Sequence, residues 1–242
     1  MSGHSKWAQI KHKKASVDAK RGREFSKFIQ EIMVAARTGG PNEDANPRLR
    51  AAIERARSLG LPKDNIERAV ARATGSGDDT KLEEFLYEAT APNGLFVLIE
   101  GITDNKNRTL AEIKKILTGG NAKLADPGSV FWNFEKIGSF EVSRADNPGK
   151  SPEHIENAII ESGAQDMTSL DKAWIVKTKF EECESVRKAL EERMVKINTA
   201  GHDYKNRATV MLEAAAKKSF EQLLDSLTGL DDVQEVYTNL HE

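Results

Sequence analysis

The hydrophobic period changes once along this chain, near residue 80, and that change limits the fold more than any other feature. Before it, Phe25, Phe28, Ile29, Ile32, Met33 and Ala36 recur at the spacing of one helix face. The pattern predicts a helix from about Asp18 to Thr38, stopped by Gly39-Gly40-Pro41. Asn46 reads as the N-cap of a second helix, with Pro47 at its first position and Leu49, Ala52, Ile53 and Ala56 facing inward. Pro62 opens a third that closes at Gly75, with Ile66, Ala69, Val70 and Ala73 inward. Three short amphipathic helices can share one small core. Leu59-Gly60-Leu61-Pro62 resembles a helix-turn-helix corner, as any compact bundle requires. Gly75 to Asp79 reads as a linker.

Beyond the linker the apolar residues alternate. Phe85, Tyr87 and Ala89 lead into a Pro92-Asn93-Gly94 turn, and Leu95 to Ile102 returns as the second arm of a hairpin. A helix from Thr109 to Leu117 and a strand from Ser129 to Phe134 are expected next, Thr109 lying near the helix start. From Ile137 the pattern reads strand to Ser143, helix Pro152 to Ser162 capped by Ser151, and strand near Met167. It continues as strand Trp174 to Lys179, helix Glu182 to Arg193 and strand near Val195 to Thr199. That order is a β-α-β-β-α-β unit. The tail adds a strand at Ala208 to Leu212, a helix carrying Phe220, Leu223, Leu224 and Leu227, and a strand from Val233 to Tyr237. Two strands and a helix cannot bury their own faces, so the tail must pair with the segment before residue 135. The expected class is α+β: a three-helix N-terminal domain (1–77), then two ferredoxin-like α+β domains. One of these is discontinuous (78–134 plus 207–242) and the other is inserted in it (135–206).

Charge divides along the same line. The formal net charge of −2 conceals 16 Lys+Arg against 8 Asp+Glu in residues 1–74, and 20 against 30 in the remainder. A basic module on an acidic body points to a polyanion partner for the first third of the chain. His4, Lys6, Trp7, Lys11, His12, Lys13, Lys14, Lys20, Arg21 and Arg23 concentrate that charge, with one indole among the cations. Lysine and arginine neutralise phosphates and release counterions, and an indole stacks on an unpaired base. Arg48 and Arg50 extend the candidate surface into the second helix.

Other chemistry is sparse. No Walker loop, Gly-x-Ser-x-Gly or Gly-x-Gly-x-x-Gly occurs, and the five histidines form no His-x-x-x-His or Glu-x-x-His pair. Neither a catalytic residue, a metal site nor a cofactor is expected, and the chain does not read as an enzyme. The single Cys183 excludes an internal disulfide and lies among Glu181, Glu182 and Glu184, which raise a thiol pKa. No apolar run reaches membrane-spanning length, and the charged N-terminus lacks the apolar segment of a secretory signal. A cytoplasmic protein without a membrane partner is the expectation. Asp104-Asn105-Lys106-Asn107-Arg108-Thr109 admits two readings, a capped turn or a hydrogen-bonding surface through Asn105, Asn107 and Arg108.

Several segments together carry a resemblance. Gly3-His4-Ser5-Lys6-Trp7, Lys11-His12-Lys13-Lys14-Ala15, Asp18-Ala19-Lys20-Arg21-Gly22, Asn46-Pro47-Arg48-Leu49-Arg50 and Pro62-Lys63-Asp64-Asn65-Ile66-Glu67-Arg68-Ala69 resemble the YebC/PmpR family. So do Tyr87-Glu88, Thr103-Asp104-Asn105-Lys106-Asn107-Arg108-Thr109 and Asp231-Asp232-Val233-Gln234-Glu235-Val236-Tyr237. Ala89-Thr90-Ala91-Pro92-Asn93-Gly94 departs from the glycine-rich turn usual there. The resemblance implies a helical domain and two α+β domains, the second inserted in the first. It also implies a regulator of gene expression, under two descriptions. One is a DNA-binding transcriptional regulator. The other is a ribosome-associated translation factor, with mitochondrial translational activators among its relatives and bacterial members that ease synthesis of proline-rich stretches. Ribosomal RNA or tRNA is the favoured partner, because a basic tail with one indole suits unpaired RNA and the acidic body is repelled by a DNA surface. DNA remains the alternative, since a three-helix module can place a helix in a major groove. A bacterial cytosol is the expected location.

Overall fold

The computed structural model describes residues 17–75 and 81–241, with side chains from residue 22 onward. Three helices come first: α1 (Val17–Gly39), α2 (Pro47–Ser58) and α3 (Lys63–Thr74). Phe28, Ile32, Met33, Leu49, Ile53, Leu61 and Ile66 close one core between them. Asn46 caps α2 as its sequence implies. Its Oδ1 accepts from Leu49 N at 3.0 Å, while its amide donates to Ala35 O and Gly40 O at 2.8 Å each. One buried side chain thus closes α2 and fixes the end of α1 against it; such a cap is worth about 1 kcal/mol.

The rest of the chain forms two four-stranded antiparallel sheets. The first contains β1 (Glu83–Ala91), β2 (Leu95–Thr103), β3 (Lys123–Ala125) and β8 (Val233–Thr238), in the order β3-β1-β2-β8. Helices α4 (Lys106–Gly119) and α7 (Ala214–Thr228) cover one face. Ile113, Leu117, Phe220, Leu223 and Leu227 pack there on Ala89, Leu95, Val97 and Ile99. The second contains β4 (Phe134–Ser143), β5 (Asp166–Ser169), β6 (Ala173–Lys179) and β7 (Thr199–Asn206), ordered β5-β6-β4-β7. With α5 (Pro152–Glu161) and α6 (Cys183–Glu192) this is the ferredoxin-like β-α-β-β-α-β arrangement. All four of its strands lie in sequence between β3 and β8. The C-terminal strand therefore returns across the second unit to close the first sheet, Leu98 standing opposite Tyr237.

Four local expectations need correction. Ser129 to Phe134 is not a strand. Glu88, buried on β1, accepts from the backbone N–H of Gly128, of Val130 (2.7 Å) and of Phe131 (2.9 Å), and this curls the segment into a short 3-10 turn before β4. Helix α4 begins three residues before Thr109, because Asn105 is its N-cap and accepts from Arg108 N at 3.1 Å. The strand expected at Val195 to Thr199 lies later. Met194 turns the chain at φ 58°, Val195 N returns to Leu190 O, and pairing with β4 starts only at Thr199. Ala208 to Leu212 contributes one parallel bridge, Val210 to Leu240, and no strand. The short β3 was not anticipated.

Candidate nucleic-acid interface

His4, Lys6, Trp7, Lys11, His12, Lys13 and Lys14 lie outside the described residues. Lys20 and Arg21 sit in the first turn and a half of α1, their side chains likewise outside the description. Arg23 is exposed and donates to Gly229 O at 3.4 Å. Next to it, Lys27 Nζ donates to Thr228 O at 2.8 Å. Two cations of α1 therefore meet the carbonyl end of α7, where the helix dipole favours positive charge.

Arg48 and Arg50 are engaged by carboxylates of the body. Arg48 forms a two-nitrogen pair with Glu84 on β1, and Arg50 Nη2 reaches Glu184 on α6 at 3.1 Å. Arg55 pairs with Glu31 and Arg57 with Glu43. Below them Arg187, 7% exposed, bridges Glu54 at 2.5 Å and Glu191 at 3.0 Å. The arginines of α2 are thus matched by acids. In the sequence, residues 1–40 hold 9 basic residues against 3 acidic ones.

Asn105, Asn107 and Arg108 divide in role. Asn107 is exposed, whereas Asn105 is consumed by its cap. Arg108 Nη2 lies 2.7 Å from Asp104 and 2.8 Å from Asp232, and the same Asp232 oxygen accepts from Thr103 (3.0 Å) and Thr109 (2.5 Å). Burial would raise the Asp232 carboxyl, but the hydrogen bonds from Thr109, Arg108 and Thr103 hold it below the usual range. Two motifs more than 120 residues apart therefore meet in one polar knot, and the capped-turn reading describes this loop. Cys183 is inert here: burial, with the Glu184 charge adding to it, pushes its thiol up to about 11.

Sequence reasoning missed a second cluster, in a cleft of about 1580 Å³ between the helical module and both sheets. Glu100 on β2 and Glu235 on β8 are directly paired in register. His202 Nε2 lies 2.8 Å from Glu100, Tyr204 OH donates to it at 2.8 Å, and Tyr237 OH at 3.4 Å. Burial pushes the Glu235 carboxyl up to about 8 despite the charges of Arg55 and Lys27. Burial also acts upward on Glu100, but the hydrogen bonds from His202 and Tyr204, with the charges of His202 and Lys136, hold it low. A register shift at Glu100/Gly101 aids this placement. A Cβ at Gly101 would stand 2.1 Å from Asp232 O, so only glycine fits beside the bulge. The available signal was Glu100 itself, one carboxylate in the apolar run Leu95 to Ile102. Among the described residues no group of His, Cys, Asp and Glu is placed to hold a metal ion. None of the described helices is long and apolar enough to cross a membrane.

A helical module joined by ion pairs to two antiparallel sheets, the second inserted in sequence between strands of the first, defines a class of α+β proteins. Residues 5–76 match the TACO1/YebC protein N-terminal domain and residues 82–240 match the TACO1/YebC second and third domain, so the chain belongs to the TACO1/YebC family. It is 43% identical over 239 residues to a probable transcriptional regulatory protein of Desulfosudis oleivorans, covering 99% of this chain and 96% of that one. A protein of the same description from Thermotoga maritima is 42% identical over 245 residues, covering 99% and 93%. The crystal structure of the conserved hypothetical protein Aq1575 from Aquifex aeolicus superposes with a TM-score of 0.86 at 41% identity, covering 98% and 97%.

Proposed function

We propose that this protein is a nucleic-acid-binding regulator of gene expression that acts by binding and not by catalysis. Its partner is RNA, most directly ribosomal RNA or tRNA and through them the ribosome, and its role is to assist translation of difficult, proline-rich stretches. The observation that carries the reading is the charge division: 16 basic to 8 acidic residues before position 75, and 20 to 30 after it. The body would be repelled by a polyanion, so phosphate contact is assigned to the basic segment. Pairing of Arg48, Arg50, Arg55 and Arg57 with carboxylates leaves phosphate binding to Lys6, Lys11, Lys13, Lys14, Lys20, Arg21 and Arg23, with Trp7 as the stacking group. A second reading, a DNA-binding transcriptional regulator, is favoured by the description given to the relatives from Desulfosudis and Thermotoga.

Crosslinking of bound nucleic acid in cells, followed by sequencing, separates the two. Ribosomal RNA or tRNA supports the translation reading; promoter DNA overturns it in favour of transcription. With five or six phosphates of unpaired RNA neutralised, log affinity should fall against log salt with a slope of roughly −3.5 to −4.

A further inference from the structure

One exposed aromatic group is anchored by a hydrogen bond and a ring contact although half its surface is open. Trp132 is 53% exposed, yet its indole N–H donates to Ser129 O at 2.9 Å and its ring meets Phe96 edge-on at 5.8 Å. The turn that carries it is fixed from below by Glu88, a buried carboxylate bonded to three successive-turn N–H groups. From the side, the buried Asn133 clamps Ala208, accepting from its N at 2.8 Å and donating to its O at 3.0 Å. Phe131, 37% exposed, continues the aromatic surface, its ring edge-on to Tyr204.

The charges around this turn differ from those elsewhere on the body. Arg207 donates its backbone N–H to Asn133 O at 2.8 Å, which places it beside Trp132 in the chain pairing. Among arginines with described side chains, Arg207 alone has no side-chain hydrogen bond, ion pair or ring contact with described residues. Lys123 lies in the same cross-strand row as Phe96, through Thr90, and so shares its face of the sheet. Lys205 is exposed at the end of β7, but it stands opposite Glu135 and on the other face of the strand from Tyr204, so it is not part of this patch. Neither lysine has an ion-pair partner among the described residues. Of the acids on the adjoining segments, Glu88 is buried with its carboxylate met by N–H groups of the turn and Glu135 stands opposite Lys205, which leaves Lys123 and Arg207 beside the exposed Asp126.

We propose that the Trp132–Phe96 pair, flanked by Lys123 and Arg207, is a second nucleic-acid contact that stacks an unpaired base. It goes beyond the basic N-terminal segment, giving a single strand a sequence-tolerant hold on the body while the tail engages phosphates. A rigid aromatic face loses little entropy on stacking, and unpaired cations at its edge meet the flanking phosphates without first breaking ion pairs.

The test uses the full chain and a 12-nucleotide oligouridine carrying a central 4-thiouridine. After irradiation and trypsin, the crosslink should appear on the peptide 124–136, which contains Phe131 and Trp132 and is bounded by Lys123 and Lys136. Trp132→Ala should weaken oligouridine binding about fivefold or more, and Trp132→Phe should restore most of it. Arg207→Gln should flatten the salt slope by about 0.7. A duplex of equal length should bind Trp132→Ala and the unaltered protein alike. If crosslinks avoid 124–136 and Trp132→Ala binds within about twofold of the unaltered protein, the stacking contact is refuted. If Lys13→Ala with Lys14→Ala alone abolishes binding under that result, the tail reading stands without it. The reverse pattern removes the tail and keeps the platform, and absence of oligouridine binding by the unaltered chain overturns both. Loss of a bound protein from Trp132→Ala, with RNA binding intact, would assign the patch to a protein partner and also overturn the proposal.

Discussion

Glu100 and Glu235 stand directly opposite each other on β2 and β8, and their carboxyls are driven in opposite directions. Like charges in register repel across a sheet. Here His202, Tyr204 and Tyr237 gather on Glu100, leaving Glu235 the more poorly compensated of the two.

The folded-state pKa of Glu235, about 8, exceeds its ordinary value of 4.5, so between those pH values the folded chain binds a proton that the unfolded chain does not. Stability gained from this group is complete below about 4.5 and is lost as pH rises through about 8. Glu235→Gln should therefore stabilise the protein above pH 8, by about 1–3 kcal/mol, and leave it nearly unchanged at pH 5. Denaturant titrations at the two pH values measure this; equal effects at both would refute it.

Asp232 anchors Thr103, Thr109 and Arg108 through one oxygen. Asp232→Ala leaves the Arg108 guanidinium with only Asp104 and makes the two threonines fall back on each other and on Asn105 O. The expected cost is about 1–2 kcal/mol in urea unfolding. A loss under 0.5 kcal/mol would mean that the knot contributes no net stability.

Arg187 joins α6 to α2 through Glu54 while almost fully buried. Arg187→Ala should destabilise by about 2–3 kcal/mol, because Glu54, largely buried, loses its partner. Arg187→Met combined with Glu54→Leu should cost less than Arg187→Ala alone, as read from a double-mutant cycle. An equal or larger loss in the double variant would contradict this account.

On the basic segment, charge and stacking should separate in the salt dependence. Trp7→Ala is expected to weaken RNA binding about tenfold with little change of slope. Lys13→Ala with Lys14→Ala should flatten the slope by about 1.5. Fluorescence anisotropy across a salt series checks both, and an unchanged slope in the lysine variant would remove those residues from phosphate contact.

The three-helix opening, the hairpin and the β-α-β-β-α-β order were legible because apolar spacing reports directly on which face of an element is buried. Asn46 and Ser151 gave true helix starts, since an N-cap is a bond between residues three apart. The charge division was equally plain, being a count. What tertiary structure alone decided was every feature made by residues far apart in the chain. The curl at Ser129 to Phe134 depends on Glu88, some forty residues earlier, capturing its N–H groups, so an apolar run typical of a strand became a turn. Strand β7 was hidden because His202, Asp203, Lys205 and Asn206 are polar and break the apolar alternation, although His202 lines the cleft and Tyr204 is buried. Arg48 and Arg50 were legible as part of a basic surface, but that Glu84 and Glu184 stand beside them was not. Local spacing determines local structure; the partner of a charge is set by the path of the whole chain.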